Sequence, residues 1–329
     1  MVVARALEET SAGRARRRPG MRRAKPSRLR SLPPAAWGRI VKRTFDQFRA
    51  DGVTNLSAAL TFRSVLSVFP ALLALVALLG VLGQYPQTFN AILQIVGGFA
   101  PRSTVQTVSG PVREVIADKG GAGAVLGVGL AGAVWAASGY VGAFSWAANV
   151  IWEAPRGRSW YRQWPFNYAV TVVVLALGTL IFVALAATGP VASSIGRQLG
   201  IGSTAIDIWN YAKWPVLVVV VVTVIDWLYY IAPNVRPPSW RWLTPGAVLA
   251  VTAWFATSLG FGYYVANFGS YNKTYGTLGA IVIFLVWLWL TNIALLLGIE
   301  LNSEIERERQ LRIPEPEATE HIQLPLRQS

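Results

Sequence analysis

The chain has 329 residues, of which 53% are hydrophobic and only 14% charged. A soluble domain carries roughly a quarter charged residues, so lipid rather than water is the solvent for most of this chain. It has no cysteine, which excludes disulfides, thiol nucleophiles and thiolate metal sites, and its single histidine, His321, cannot supply the several ligands of a catalytic zinc.

Charge is concentrated at the start. The first 49 residues hold fourteen Lys and Arg against Glu8, Glu9 and Asp46, most of the net charge of +14. Residues 14–30 contain nine basic residues, no acid, and Pro19 and Pro26. That composition predicts a disordered basic arm over 1–33 that meets anionic lipid headgroups. Nucleic acid is not an expected partner, because no aromatic residue interleaves with the arginines.

Residues 34–52 predict an amphipathic helix lying in the plane of the interface. Trp37, Ile40, Val41, Phe45 and Phe48 share one helical face, and Arg39, Lys42, Arg43, Asp46 and Arg49 take the other. Pro33 and Pro34 suit its start and Gly52 its end.

A crossing of about 30 Å of hydrocarbon needs about 20 mostly apolar residues. Six blocks within 53–309 meet that length: 56–82, 121–152, 168–188, 214–231, 243–266 and 276–301. The predicted fold class is therefore an all-α membrane protein, a bundle of six transmembrane helices preceded by the interfacial helix. The first block is too long and starts too late for a cleaved signal peptide. Between the first two blocks, residues 83–120 suggest short amphipathic helices, from Phe89, Ile92 and Val96 to Val112 and Ile116. Residues 310–329 form a polar tail, helical until Pro314.

Orientation follows from the lysines and arginines between spans. With the N-terminus inside, the cytoplasmic segments hold 23 of them, and the outer segments only Arg102, Arg113, Lys119, Arg197, Lys213 and Lys273. Both termini are expected in the cytoplasm.

Residues 127–132 match G-x-G-x-x-G, but inside an apolar span. The glycines there read as close-packing positions of a membrane helix and not as a dinucleotide loop. The ionisable residues within spans carry more information, because they are costly there. Arg63 and Asp226 each lie about seven residues from a cytoplasmic span end, on the order of 10 Å deep. Opposite sign at similar depth predicts a pair. Asn149, Glu300 and Asn302 crowd the same end of the second and sixth spans. Arg63, Asn149, Asp226, Glu300 and Asn302 are the candidate polar cavity or substrate path. The alternatives are structural pairing without transport and snorkelling of Arg63 to phosphates. Pro70 predicts a helix kink, since it removes one helical hydrogen bond. No catalytic residue, metal or cofactor is predicted.

Several separated motifs carry a resemblance. Residues 58–70 (AALTFRSVLSVFP), 149–152 (NVIW) with Arg156, 230–233 (YIAP), 243–246 (LTPG), 275–279 (YGTLG) and 297–302 (LGIELN) occur in order. Over about residues 37–309 the chain resembles the YihY/virulence factor BrkB family, often labelled ribonuclease BN. At position 63 it has an arginine where that pattern usually carries a polar uncharged residue. The resemblance implies a six-helix protein of the bacterial inner membrane. The residues oppose a nuclease, since no His/Asp cluster exists for metal hydrolysis. A transporter-like protein moving a lipid or an anionic envelope metabolite is the leading expectation. A non-transporting envelope scaffold, self-associating through small-residue faces and the basic arm, is the alternative.

Overall fold

Proline opens the first helix and glycine closes it. In the computed structural model, α1 (Pro34–Ala50) starts on Pro34, whose absent N–H would be unpaired in a first turn anyway. It ends at Gly52, in the left-handed region at φ 62°, where the Gly52 N–H donates to the Arg49 carbonyl at 3.2 Å. A residue with a Cβ would be strained at that turn. The chain then enters α2 (Val53–Val81), α3 (Ala122–Ile151), α4 (Trp160–Ala186), α5 (Ser203–Ile231), α6 (Pro245–Asn267) and α7 (Tyr271–Gln310). The structure describes residues 33–81, 122–155, 160–186, 203–236, 244–267, 271–312, 322 and 324–327. Among them every regular element is helical, with one isolated antiparallel bridge between Val235 and Leu326. The basic arm, the 83–120 loop and most loop arginines used for orientation lie outside the described residues.

Four stretches among the described residues are long and apolar enough to cross a membrane: Gly127–Ile151, Tyr211–Ile231, Pro245–Val265 and Ile281–Gln310. The helices α2 and α4, with 29 and 27 residues, cover much of the other two predicted spans. Large apolar side chains such as Val172, Val219, Phe255, Leu259 and Ile281 point outward. In water such a surface would be a liability; against lipid it is the expected outer face. α7 is 40 residues long, about 60 Å at 1.5 Å per residue. It therefore continues well past one hydrocarbon thickness as a charged rod.

The core lies where α2, α3 and α7 meet, with α6 against α7, α4 against α3 and α1 against the charged end of α7. Leu60, Phe144, Ala148, Ile151, Leu296 and Ile299 fill it. The backbones of α6 and α7 come into direct contact. A Cβ on Gly246 would stand 2.0 Å from the Gly298 carbonyl oxygen, and one on Gly298 would stand 2.5 Å from that of Gly246. Small residues let membrane helices bring their backbones together, where dispersion and interhelical hydrogen bonds replace the missing hydrophobic drive.

Three features differ from the sequence reading. α5 begins at Ser203, three turns before the expected 214, because a single interior proline, Pro215, does not break it. Lys213, counted above as an outer-loop cation, is consequently a buried residue of α5. The apolar stripe of α1 also divides: Ile40 is buried with Ala36 and Thr44, while Trp37, Val41 and Phe45 are exposed.

Candidate functional site

The candidate polar residues separate into three places. Asp226 and Asn302 meet through Thr244, the residue that caps α6. The Thr244 hydroxyl donates to Asp226 Oδ1 at 2.5 Å and accepts from the Ala247 N–H at 3.3 Å and from Asn302 Nδ2 at 3.0 Å. Asn302 Oδ1 accepts from the Gly246 N–H at 2.9 Å. The first amides of a helix lack intrahelical acceptors, and here α5 and α7 supply side chains that satisfy or orient the cap. Asp226 is buried and its described partner is Thr244, so the predicted pairing with Arg63 does not form. Asn149 is elsewhere: its Oδ1 accepts from the Asn234 N–H at 2.6 Å, tying α3 to the turn after α5. Ser145 makes a parallel tie, donating to the Ala232 carbonyl at 2.6 Å.

Glu300 belongs to a second group, built on the charged end of α7. It is fully buried beside Asp51 of the α1–α2 turn, and neither of its carboxyl oxygens has a hydrogen-bond partner among the described residues. Burial pushes the Asp51 carboxyl above the usual carboxylate range; the Glu153 charge adds to this, while Glu300, Gln47 and Arg307 oppose it. Around them Arg307 bridges Glu304 at 2.9 Å and Glu153 at 2.5 Å. Arg39 reaches Glu308 at 2.7 Å; Arg43 contacts the same carboxylate and lies 3.2 Å from Glu304. Two of the basic residues expected on the solvent face of α1 are thus ion-paired with α7. The tail returns to the same end: the Ile322 N–H donates to Glu153, and Arg327 donates to the Tyr230 carbonyl at 2.6 Å and stacks over its ring.

Glu153 is also the point at which α3 stops. Its φ of 50° is left-handed. The Glu153 N–H donates to the Val150 carbonyl at 3.0 Å and the Ala154 N–H to that of Asn149 at 2.8 Å. This pair of hydrogen bonds is the Schellman closure, which normally uses glycine at that residue, and Pro155 follows as such endings favour.

Arg63 stands alone in the third place. It lines a cavity of about 730 Å³ between α2, α3 and α4, together with Trp135, Trp146, Trp164, Asn167 and others. Among the described residues it has no ion pair or hydrogen bond. The five candidates therefore do not line one cavity; only Arg63 reaches this one. Sequence reasoning missed Asn292, whose Nδ2 donates to Thr61 at 3.1 Å and whose Oδ1 accepts from Tyr140 at 2.9 Å, joining α2, α3 and α7. It also missed Asp51, Thr244 and Asn167. An amide inside an apolar run was the available signal for Asn292. Among the described residues no cluster of His, Cys, Asp or Glu is arranged to hold a metal.

Long helices with outward valines and inward polar ties define a multi-pass α-helical membrane protein. Comparison with known proteins gives its family. The chain belongs to the Virulence factor BrkB family, whose pattern matches residues 44–323. It is 27% identical over 277 residues to the ribonuclease-like protein YfkH of Bacillus subtilis, covering 83% of this chain and 97% of that one. It is 28% identical over 272 residues to the UPF0761 membrane protein RSc1559 of Ralstonia nicotianae, covering 79% of this chain and 57% of that longer protein. A UPF0761 membrane protein of Pseudoalteromonas atlantica is 27% identical over 281 residues, with 84% and 89% covered. No solved structure matches.

Proposed function

We propose that this protein is a transporter-like component of the bacterial inner membrane that moves a lipid or an anionic envelope metabolite. The observation that carries the reading is the Arg63 cavity: an exposed, unpaired cation on an apolar helix beside a space of about 730 Å³. A guanidinium held at membrane depth without a protein counter-ion is costly, and such residues mark substrate paths. Reconstituted protein should move a labelled anionic lipid or metabolite faster than protein-free vesicles; no flux in a panel where a known transporter succeeds would sink the proposal.

The reading takes α2 and α4 as spans beside the four apolar stretches, which makes six, with both ends cytoplasmic and the exposed Trp37, Val41 and Phe45 of α1 in the inner leaflet. Because the chain has no cysteine, single cysteines at Arg158 and Lys273 can test it. They should label from opposite sides. The name of the Bacillus relative suggests nuclease activity, but a chain with one histidine and this lipid-facing surface favours a non-enzymatic role. Purified protein whose nuclease activity falls with a point mutation would reverse that view.

A scaffold is the second reading, favoured by the way Asp226, Asn302 and Asn149 are engaged in internal ties. It expects D226N and E300Q to leave envelope function intact while bulky replacements of the α3 glycines abolish it.

A further inference from the structure

Arg63 differs from the arginines clustered around the charged end of α7. Arg39, Arg43, Arg307, Arg309 and Arg312 each meet a glutamate. Arg63 lies within an apolar helix and meets none, and no carboxylate lines its cavity. An exposed guanidinium with no counter-ion calls for an anion, and its planar fork favours a phosphate.

The cavity is graded along the helices. Toward the helix ends near α1 are Trp146, Trp164 and Asn167; deeper are Leu66 and Trp135, both exposed on the outer surface of the bundle. Asn167 Oδ1 is occupied by the Gln163 amide at 2.8 Å. Its Nδ2 group faces Gly142, where a Cβ would come within 2.8 Å. Gly139 gives similar room to Arg63, with a Cβ position 3.4 Å from Nη1. Glycine at both positions therefore lets the two donors pack against α3, where a larger residue would displace them. Tryptophans at this level suit the headgroup zone, where an aromatic ring has one apolar and one wet side. An apolar, outward-open floor below a cationic, aromatic rim matches an amphiphile and not a free solute.

We propose that the groove between α2, α3 and α4 is a lateral binding site for an anionic phospholipid of the cytoplasmic leaflet, with its phosphate between Arg63 and Asn167 and its acyl chains along Leu66 and Trp135. The assignment to that leaflet and to a substrate or its entry point rests on the transport reading and topology above; the binding site itself does not need flux.

The test uses the full-length protein in phosphatidylcholine nanodiscs carrying either photoactivatable phosphatidylglycerol or a photoactivatable phosphatidylcholine analogue, with adducts mapped by mass spectrometry. Phosphatidylglycerol should label the 135–168 segment about tenfold more than the neutral analogue. Arg63→Gln should reduce labelling to the neutral level, Arg63→Lys should retain most of it, and Gly142→Ala should lower it several-fold by displacing Asn167. If Arg63→Gln does not fold, the Lys and Gly142 variants carry the comparison. Adducts confined to the basic arm, equal labelling by both lipids, or labelling unchanged in Gly142→Ala would overturn the site. Displacement by millimolar inorganic phosphate would overturn the choice of a lipid. Arg63-dependent adducts in a protein that moves nothing would leave the site standing and sink transport; flux without such adducts would do the reverse.

Discussion

The end of the bundle near α1 and the groove around Arg63 contain the same kinds of side chain in opposite states. At the bundle end, arginines lie against glutamates, and hydroxyls and amides bridge α5, α6 and α7. In the groove, an exposed arginine has no ion pair or hydrogen bond among the described residues, and an asparagine amide is bonded only within its own helix. A polar group buried with its partners locks helices in place, because breaking the tie leaves a desolvated group behind. A polar group exposed in a cavity adds little to the fold and is available to a ligand. The two regions should therefore answer mutation differently, one in stability and the other in binding.

The largest effect is expected at the α6–α7 crossing. Gly298→Ala places a methyl group against the Gly246 carbonyl at 2.5 Å and the Tyr229 hydroxyl at 2.5 Å. Neither backbone can give way without separating the helices, at a cost of about 3 kcal/mol, the upper end of overpacking penalties. Thermal unfolding in detergent should show a loss of many degrees, or no folded protein. Gly260→Ala, with nothing within 4 Å of its Cβ position, should be neutral or slightly stabilising, since alanine is the better helix former. Arg63→Gln should leave the midpoint nearly unchanged. A large loss of stability there would erase the distinction between the regions.

Next is the cap of α6. Thr244→Val keeps the shape of the side chain and removes the hydroxyl that donates to Asp226 and accepts from Ala247 and Asn302. Stranding those partners should cost about 2 kcal/mol, read as a lower midpoint with the same cooperativity. Asp226→Asn retains an acceptor for Thr244 and should cost about half as much. If the two variants were equally mild, Asp226 would not be a brace, and its burial would need a functional explanation.

Much of this division follows from where physical information lies in a sequence. Apolar length is a property of consecutive residues, so the long helices over Gly127–Ile151 and Ile281–Gln310 could be read directly. The proline and glycine bounding α1 are local as well. The surroundings of Arg63 and the partner of Asp226 are not, because equal depth does not bring two helices to the same side. Asp226 faces the start of α6, and Thr244 is there because Pro245 begins that helix; nothing in the local pattern of α5 reveals it. Arg39 and Arg43 illustrate the same limit. Their spacing marks a polar helical face, and only the length of α7 beyond the membrane turns that face into a protein contact.

A pH series would sharpen the reading of the bundle end. Asp51 lies at the α1–α2 turn, outside the spans, and burial raises its carboxyl above its ordinary value of 3.8. A raised acid binds its proton more tightly when folded, so its contribution to stability is complete below the unfolded value and lost as pH climbs through the folded one. The window opens near 3.8 and extends upward. The wild-type midpoint should therefore carry a component that falls as pH rises from about 4 toward neutrality, and Asp51→Asn should flatten it. The groups facing Asp51 are Glu300, Glu153 and Arg307. A series unaltered by Asp51→Asn would assign the slope to one of those.

The smallest net effect should come at Glu153, where two terms of opposite sign meet. A non-glycine residue in the left-handed region costs roughly 1–2 kcal/mol, which Glu153→Gly would recover. The same change removes the carboxylate that accepts from Arg307 at 2.5 Å and from the Ile322 N–H at 3.2 Å. Arg307 keeps Glu304, so it is not left without a counter-ion, and the loss is limited to about 1–2 kcal/mol for a charge-assisted bond. The glycine variant should unfold within a few degrees of wild type. Glu153→Ala keeps the strain and loses the carboxylate, so it should be the less stable of the two by about 1 kcal/mol. The order wild type near glycine, above alanine, assigns Glu153 to holding the tail and Arg307 at a strained helix end. Alanine equal to wild type would mean that the carboxylate ties nothing, and the bundle end would then be less saturated than the contrast with the groove requires.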